Sequence, residues 1–333
     1  MTRAVEKHVE DEIGRMVAAP GPILVGPWLS EVGFEILYWI PMLRWIKERW
    51  QIPAERMVVV SRGGTRLWYQ GLCERYVDLL DLASPEQFQE MNRSRWERDR
   101  RQKQSFVEEQ DREVIGWVRK ATGLEGQALI HPSLMYSLFW PVFQRRAPLG
   151  DLLQRVQFQS QAPAELTPEL KAVLPEEYIA LRFYFRPSLP ETEATRAFVA
   201  SIVRRVAGRY PVVLLNNGLQ LDDHIDCPAE GAITLDHLMT PSTNLDIQTR
   251  VIANARAFVG TYGGLCYLGP FVGTPSIAFY SDDRELMPVH LEAARAACRG
   301  LGTNLIALHT DDVATIDTVL GAAAGASIAK ANS

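Results

Sequence analysis

The chain has 333 residues, 47% of them hydrophobic and 23% charged, a composition typical of a globular protein with length enough for two domains. Its net charge of −5 argues against general nucleic-acid binding, which needs a basic surface. The charged N-terminus lacks a secretory apolar core, and the most apolar run, 34–43, is interrupted by Glu35 and Pro41. The sequence therefore predicts a cytoplasmic protein without a transmembrane helix.

Strand and helix patterns alternate along the first half of the chain. Short apolar runs bounded by glycine, proline or polar residues predict strands, and longer segments with helical spacing predict helices. The predicted elements are a strand at 22–26, a helix at 34–50, a strand at 57–61, helical segments at 66–80 and 85–122, a strand at 128–131 and a helix at 134–156.

The same alternation continues after a segment rich in proline, glutamine and glutamate. Predicted strands lie at 178–185, 212–215, 232–235, 257–259, 276–280 and 304–308, and predicted helices at 191–207, 244–255 and 311–324. Because such alternation produces parallel sheets, we expect an α/β fold of two Rossmann-like domains that face a cleft. The predicted boundaries are 1–160 for the first domain, 161–176 for a linker and 177–333 for the second domain.

The most informative stretch is residues 251–280, VIANARAFVGTYGGLCYLGPFVGTPSIAFY. In it a short strand runs into a turn, Thr261-Tyr262-Gly263-Gly264, and a helix follows. A glycine-rich turn before a helix leaves backbone N–H groups at the positive end of the helix dipole, an arrangement that suits a phosphate or diphosphate. An ordinary tight turn between a strand and a helix is the alternative.

The second half of the chain resembles the C-terminal donor domain of GT-B glycosyltransferases, among them heptosyltransferases and fucosyltransferase-like enzymes. The resemblance rests on RFYFR, VVLLNNG and residues 251–280, and VGPWLSEVGFEILYWIP is similar to the family's first strand and loop. It implies inverting sugar transfer from a nucleoside-diphosphate donor to a hydroxyl of a glycan or lipid-linked acceptor, without a metal or another cofactor. A UDP-sugar 2-epimerase of the same fold and a non-catalytic binding protein are the alternatives.

Residues at predicted strand ends in the second half are candidate donor ligands. Arg186 follows the strand at 178–185 and could neutralise a departing diphosphate, whereas an ion pair with Glu191 is its alternative. The full predicted diphosphate set is Arg182, Arg186, Asn216, Asn217, Thr261, Tyr262, Gly263 and Gly264, with the Thr261 hydroxyl assisting. By analogy with related folds, the nucleotide base is assigned to Asp236, His237 and Met239.

The resemblance implies that the first domain binds the acceptor and supplies a catalytic base. Glu31, in the loop after the first strand, is the first candidate, and His131, at the end of the strand ALIH, is the second. Capping of the next helix is the alternative for Glu31, and it is the role predicted for Glu35. Gly33 and Arg62 are predicted to contact the acceptor.

Two further patterns bear on partners. The four cysteines are scattered without a metal-ligand spacing, which indicates reduced thiols and predicts no metal site. The arginine-rich segment NRSRWERDRRQK, 92–103, is typical of a solvated helix face, and peripheral contact with an anionic membrane or a lipid-linked acceptor stays open.

Overall fold

The computed structural model describes residues 2–99, 104–124, 128–161, 164–216, 225–226, 231–312, 315 and 318–319. The chain divides into two compact units. Unit 1 comprises Met1–Phe158 together with Pro241–Asp246, and unit 2 comprises Gln159–Thr240 together with Ile247–Ser333. A short segment of the second half of the sequence is thus part of unit 1.

Unit 1 contains a parallel four-stranded sheet in the order β3-β2-β1-β4. Its strands are β1 (Ile23–Val25), β2 (Met57–Ser61), β3 (Arg75–Asp78) and β4 (Ala128–Ile130). The three apolar runs predicted as strands are confirmed, but the helix predicted over 66–80 is wrong, because β3 occupies its second half. Arg75 is exposed on this edge strand, so β3 lacks the continuous apolar run that marks a buried parallel strand.

The helices of unit 1 pack around this sheet. They are α1 (Thr2–Ala18), α2 (Val32–Phe34), α3 (Ile40–Arg49), α4 (Pro85–Asp99), α5 (Glu109–Thr122), α6 (Pro132–Phe143) and α7 (Leu149–Leu153). A π-helical turn, Glu35–Trp39, joins α2 to α3 where the sequence predicts one regular helix. Such turns are rare and occur frequently at functional sites.

Unit 2 contains a parallel six-stranded sheet in the order β12-β11-β10-β5-β7-β9. Its strands are β5 (Ile179–Arg182), β7 (Val212–Leu214), β9 (Ile233–Thr234), β10 (Ala257–Thr261), β11 (Ser276–Tyr280) and β12 (Leu305–His309). A separate antiparallel pair consists of β6 (Tyr184–Phe185) and β8 (Ile225–Asp226).

The single strand predicted over 178–185 is divided into β5 and β6. The pairing of β5 with β10 ends at Arg182 and Gly260, and beyond that point the hydroxyl of Thr261 bonds both backbone groups of Tyr184. These side-chain hydrogen bonds replace the next backbone hydrogen bonds between β5 and β10, and the chain leaves the sheet after β5.

Among the residues that the structure describes, unit 2 has five helices with complete bounds. They are α8 (Pro168–Val173), α9 (Glu193–Ala207), α10 (Asn244–Asn254), α11 (Gly264–Phe271) and α12 (Pro288–Leu301). The first residues of α10 lie in the segment that belongs to unit 1. No helix was predicted where α12 lies, and α8 lies within the predicted linker. Most of the predicted helix at 311–324 falls outside the described residues.

The predicted fold class is confirmed, since each unit is built on a parallel sheet with α-helical connections. The cleft predicted between the domains stays a prediction. In the part of the chain that the structure describes, no helix is long and apolar enough to cross a membrane.

Candidate functional site

The turn between β10 and α11 lies at the carboxyl edge of the unit 2 sheet. Gly260 pairs with Arg182 so closely that a Cβ at residue 260 would lie 2.1 Å from the Arg182 carbonyl oxygen, which explains the need for glycine. Tyr262 donates its N–H to the Phe279 carbonyl, and α11 begins at Gly264. The first turn of α11 therefore starts at the rim where parallel sheets bind ligands.

The structure brings Arg186 to this turn. A Cβ placed on Gly263 would lie 2.9 Å from Arg186 Nη1 and 2.1 Å from the Tyr184 hydroxyl. The Arg186 guanidinium donates a hydrogen bond to that hydroxyl, and its charge also acts on Tyr262 and Cys266. The predicted neighbourhood of Arg186 and the glycine turn is confirmed.

A short hairpin holds Arg186 in place. Arg186 and Leu189 exchange backbone hydrogen bonds of 3.1 and 2.9 Å, and the Ser188 carbonyl accepts the N–H of Ser281 at 2.8 Å. The Ser188 hydroxyl donates to the Tyr262 carbonyl at 3.4 Å. The backbone that carries this guanidinium is thus fixed to both neighbouring turns at the sheet edge.

The structure corrects which groups of the turn are available to a ligand. Thr261 is 1% exposed, and its hydroxyl donates to the Tyr184 carbonyl at 2.8 Å and accepts the Tyr184 N–H at 3.0 Å, so it cannot assist an anion as predicted. The Tyr262 N–H is used by the sheet, and the Gly263 N–H faces Cys266 Sγ at 3.4 Å.

The N–H groups of Gly264 and Leu265 remain. Neither donates a hydrogen bond to any described residue, as expected for the first positions of an α-helix. Of the four predicted amides, that of Gly264 is therefore still available to a ligand, and the amide of Leu265, which was not predicted, is available beside it.

Arg182, the second arginine predicted to bind the diphosphate, points into unit 2. It is 8% exposed, and its guanidinium donates to the carbonyl oxygen of Leu215, just after β7. Asn216 is partly buried beside this carbonyl, and Asn217 lies outside the described residues. Arg182 therefore connects β5 to the end of β7. The role of Arg186 as a diphosphate ligand stays a prediction.

The residues assigned to the nucleotide base lie on or beside a 3₁₀ turn, Asp236–Leu238, that follows β9. Asp236 and His237 are exposed, whereas Met239 is 7% exposed and belongs to the core. Their role stays a prediction.

In unit 1, the π-helical turn places Glu35 inside the protein. Its side chain is 0% exposed, and Oε1 accepts hydrogen bonds from the Ser61 hydroxyl and the Tyr69 hydroxyl, both at 2.5 Å. The other carboxyl oxygen, Oε2, is buried and has no hydrogen-bond partner among the described residues. The capping role predicted for Glu35 is wrong, because the carboxyl group faces the end of β2 and not a helix terminus.

Burial determines the protonation of Glu35. Removal from water raises the pKa of this carboxyl group to about 7, against the attraction of Arg62 and the hydrogen bonds from Ser61 and Tyr69, which lower it. Asp78, at the end of β3, adds a smaller repulsion that raises the pKa further. A carboxyl group in this range exchanges its proton near neutral pH, as a general base requires.

This pKa predicts how stability depends on pH. Since the native state binds the Glu35 proton more tightly than the unfolded chain does, its contribution to stability is complete below about pH 4.5 and is lost as pH rises to about 7. Between these values, the free energy of unfolding of the wild type should fall relative to that of Glu35→Gln by up to about 1.4 kcal/mol per pH unit. Urea titrations of both proteins from pH 4 to 8 test this; parallel curves would contradict it.

The other candidates near Glu35 are placed differently from expectation. Glu31 is the N-cap residue of α2 and is partly exposed, but its side chain makes no capping hydrogen bond. Gly33 is buried within α2. Arg62, which was predicted to contact the acceptor, is 7% exposed, donates to the Ser30 carbonyl and lies 5.6 Å over the Phe88 ring, so it is a buried charge.

His131 is unsuited to the role of base that the sequence suggested. It is 2% exposed and caps α6, with Nδ1 accepting the Ser133 N–H at 3.1 Å. While Nδ1 accepts this bond, the neutral ring carries its proton on Nε2, which lies 3.6 Å from Asp111 Oδ2. Neither nitrogen then offers a lone pair to an acceptor, and the alternative of a structural histidine is supported.

Sequence reasoning missed Glu35 as a functional candidate, although a signal was present. Glu35 is the one acidic residue of the apolar run 34–43, and that run contains no basic residue that could form an ion pair with it. Buried acidic residues without such a partner are uncommon. Nothing in the sequence pointed to Ser61 and Tyr69 as its partners.

Among the described residues, no three His, Cys, Asp or Glu side chains are grouped as a metal site requires. Cys73, Cys266 and Cys298 are free thiols, and Cys227 lies outside the described residues.

No protein-family model matches the chain, and no curated protein sequence matches it. Solved structures do match. The Escherichia coli ADP-heptose lipopolysaccharide heptosyltransferase II is 13% identical with a TM-score of 0.44, and the match covers 84% of this chain and 99% of that one. A family 9 glycosyltransferase of Veillonella parvula is 11% identical with a TM-score of 0.44, covering 92% and 90%. The E. coli heptosyltransferase WaaC with ADP is 14% identical with a TM-score of 0.41, covering 89% and 99%.

Each of these three structures is a glycosyltransferase.

Proposed function

We propose that this protein is a glycosyltransferase that takes a sugar from a nucleoside-diphosphate donor and transfers it to a hydroxyl group of an acceptor. The observation that carries the proposal is the position of the Arg186 guanidinium beside Gly263, next to the unused N–H groups of Gly264 and Leu265. These groups converge at one edge of one sheet, as a site for a diphosphate requires.

The charges of this site suit the chemistry of a leaving diphosphate. As the bond between the anomeric carbon and the diphosphate oxygen breaks, negative charge accumulates on that oxygen. A guanidinium whose backbone is already fixed and amides at a helix N-terminus stabilise this charge without reorganising. The reaction then needs no metal to neutralise the leaving group, and metal independence is part of the proposal.

We assign proton removal to Glu35, with Oε2 as the atom that takes up the proton of the acceptor hydroxyl. In an inverting transfer the acceptor oxygen bonds to the anomeric carbon, its proton passes to Oε2, and the nucleoside diphosphate leaves with the electrons of the broken bond. The buried carboxyl group, whose Oε2 has no hydrogen-bond partner among the described residues, supports this assignment. Glu31 stays the competing candidate, because it lies in the loop before α2 and is partly exposed.

The first test is binding. UDP, GDP, CDP, ADP and dTDP are each added to the protein, with and without EDTA, and the melting temperature is recorded. At a ligand concentration 100 times its Kd, the native state gains about 2.7 kcal/mol, which is readily detected as a higher melting temperature. We expect one or two of these nucleotides to stabilise the protein in EDTA; stabilisation by none would contradict the proposal.

The second test separates transfer from its alternatives. The sugar donor built on the stabilising nucleotide is incubated with the protein alone and with hydroxyl acceptors, and the products are identified. Slow hydrolysis of the donor and faster transfer in the presence of an acceptor support the proposal. A changed donor sugar without acceptor would identify a 2-epimerase, and binding without turnover would identify a non-catalytic protein.

A further inference from the structure

The hydrogen bonds at Glu35 are unequally divided between its two oxygens. Oε1 accepts from Ser61, the last residue of β2, and from Tyr69, the last residue of the 3₁₀ turn Thr65–Tyr69. Oε2 accepts from no described residue, although it too is buried. Two donors from separate elements on one oxygen fix both the position and the orientation of the carboxyl group.

From this geometry we propose that Ser61 and Tyr69 are positioning residues: by occupying Oε1 they hold Glu35 in one orientation and leave Oε2 as the only atom that can take up a proton. This inference rests on the role of Glu35 in the proposed function. Both hydroxyl groups donate to the side chain of Glu35 and not to a backbone carbonyl, so their hydrogen bonds serve this carboxyl group.

Tyr69 is suited to this role by its own surroundings. It is 1% exposed, and its ring lies 6.0 Å from that of Tyr76. Burial and the adjacent Glu35 carboxylate raise the pKa of the Tyr69 hydroxyl well above its usual value, so it stays a donor. Tyr76 cannot substitute for it, because its hydroxyl serves Asp78 and Thr65, at 3.1 and 3.0 Å.

Two charged side chains of the described residues, and the hydroxyl groups of Tyr69 and Tyr76, interact electrostatically with Glu35. Arg62, directly after β2, attracts the carboxylate, and Asp78, at the end of β3, repels it. Asp78 is itself held by the N–H groups of Gly63 and Gly64, at 3.1 and 2.7 Å. Loss of the Tyr69 hydroxyl therefore removes a donor to the Glu35 carboxylate and leaves both charges in place.

The experiment measures the titration of Glu35 directly. Wild type and Tyr69→Phe are labelled at the glutamate carboxyl carbons, and the Glu35 signal is identified by its absence in Glu35→Gln. We expect the midpoint of Tyr69→Phe to be higher than that of the wild type by about one pH unit, because a hydrogen bond to a charged group favours the charged form. Ser61→Ala should shift the midpoint in the same direction, and it serves if the phenylalanine variant does not fold.

Tyr178→Phe is the matched control. It removes a buried tyrosine hydroxyl that donates to the Val251 carbonyl in unit 2, and it should leave the Glu35 midpoint unchanged. A midpoint that stays at the wild-type value in both Tyr69→Phe and Ser61→Ala overturns the inference. Failure of the proposed function appears elsewhere, as wild-type protein that binds no nucleoside diphosphate while Glu35 still titrates as described.

Once an acceptor is known, the pH profile of kcat/KM gives a second measurement. The acidic limb of Tyr69→Phe should move to higher pH together with the Glu35 midpoint. A purely structural role of Tyr69 would lower the amount of active enzyme and leave the position of that limb unchanged, which would also overturn the inference.

Discussion

Replacing Arg186 with alanine is expected to weaken the binding of the preferred nucleoside diphosphate by roughly 1.5–3 kcal/mol, which corresponds to a Kd about 10- to 150-fold higher. Charge-assisted hydrogen bonds to phosphate oxygens are among the stronger polar contacts, and this guanidinium lies next to Gly263 on a hairpin whose backbone is already fixed. Isothermal titration calorimetry of wild type and variant measures the difference.

Arg196→Ala is the control for the loss of a positive charge. Arg196 lies on α9 in the same unit, is largely exposed and pairs with Glu191. Its removal should change nucleotide affinity by no more than a few tenths of a kcal/mol, since exposed ion pairs contribute little. Equal affinities for Arg186→Ala and wild type would remove Arg186 from the diphosphate site and leave the proposal without its main support.

Replacing Glu35 with glutamine is expected to lower turnover by about 100-fold or more while leaving donor binding unchanged. Glutamine keeps the shape of the side chain and an oxygen that can accept from Ser61 and Tyr69, but it cannot take a proton at the position of Oε2. Donor affinity should be retained because the predicted diphosphate ligands are all in unit 2. Steady-state kinetics with calorimetry on the same preparation tests both statements.

Glu31→Gln is the decisive comparison, since both glutamates are candidates for the base. We expect near-normal turnover for this variant, because the Glu31 side chain makes no capping hydrogen bond, whereas two hydroxyl donors hold the carboxyl group of Glu35 in place. If Glu31→Gln loses activity and Glu35→Gln keeps it, the assignment passes to Glu31, as the sequence alone suggested. Loss in both would mean that the two carboxyl groups act in one pathway for the proton.

Much of the unit 2 site could be predicted from the sequence because its signals are local. An apolar run, a glycine-rich turn and the first residues of a helix are consecutive, so β10, the turn and α11 follow from one stretch of chain. Arg186 could be placed at the same sheet edge because parallel strands have their carboxyl ends on one side. The unused N–H groups could not be identified in this way, since the partners of Thr261 and Tyr262 are Tyr184 and Phe279.

The unit 1 site was harder to predict because its residues are distant in sequence. Glu35 and Ser61 are 26 positions apart, and Glu35 and Tyr69 are 34 apart. The π-helical turn Glu35–Trp39 also rotates the residues that follow it relative to a regular α-helix, and a helical pattern read at 3.6 residues per turn does not reveal it. The role of His131 was likewise decided by a capping bond to Ser133 and the approach of Asp111.

The amino-acid sequence by itself determined that this protein has two parallel α/β units and that a guanidinium and a glycine turn meet at the edge of the second sheet, because periodicity and turn residues act over a few neighbours. Only the tertiary structure decided which amides at the start of α11 lack a hydrogen-bond partner among the described residues. It also decided which carboxyl group is buried with one oxygen that accepts no hydrogen bond from them. Hydrogen-bond satisfaction and removal from water depend on residues that folding brings together from distant parts of the chain.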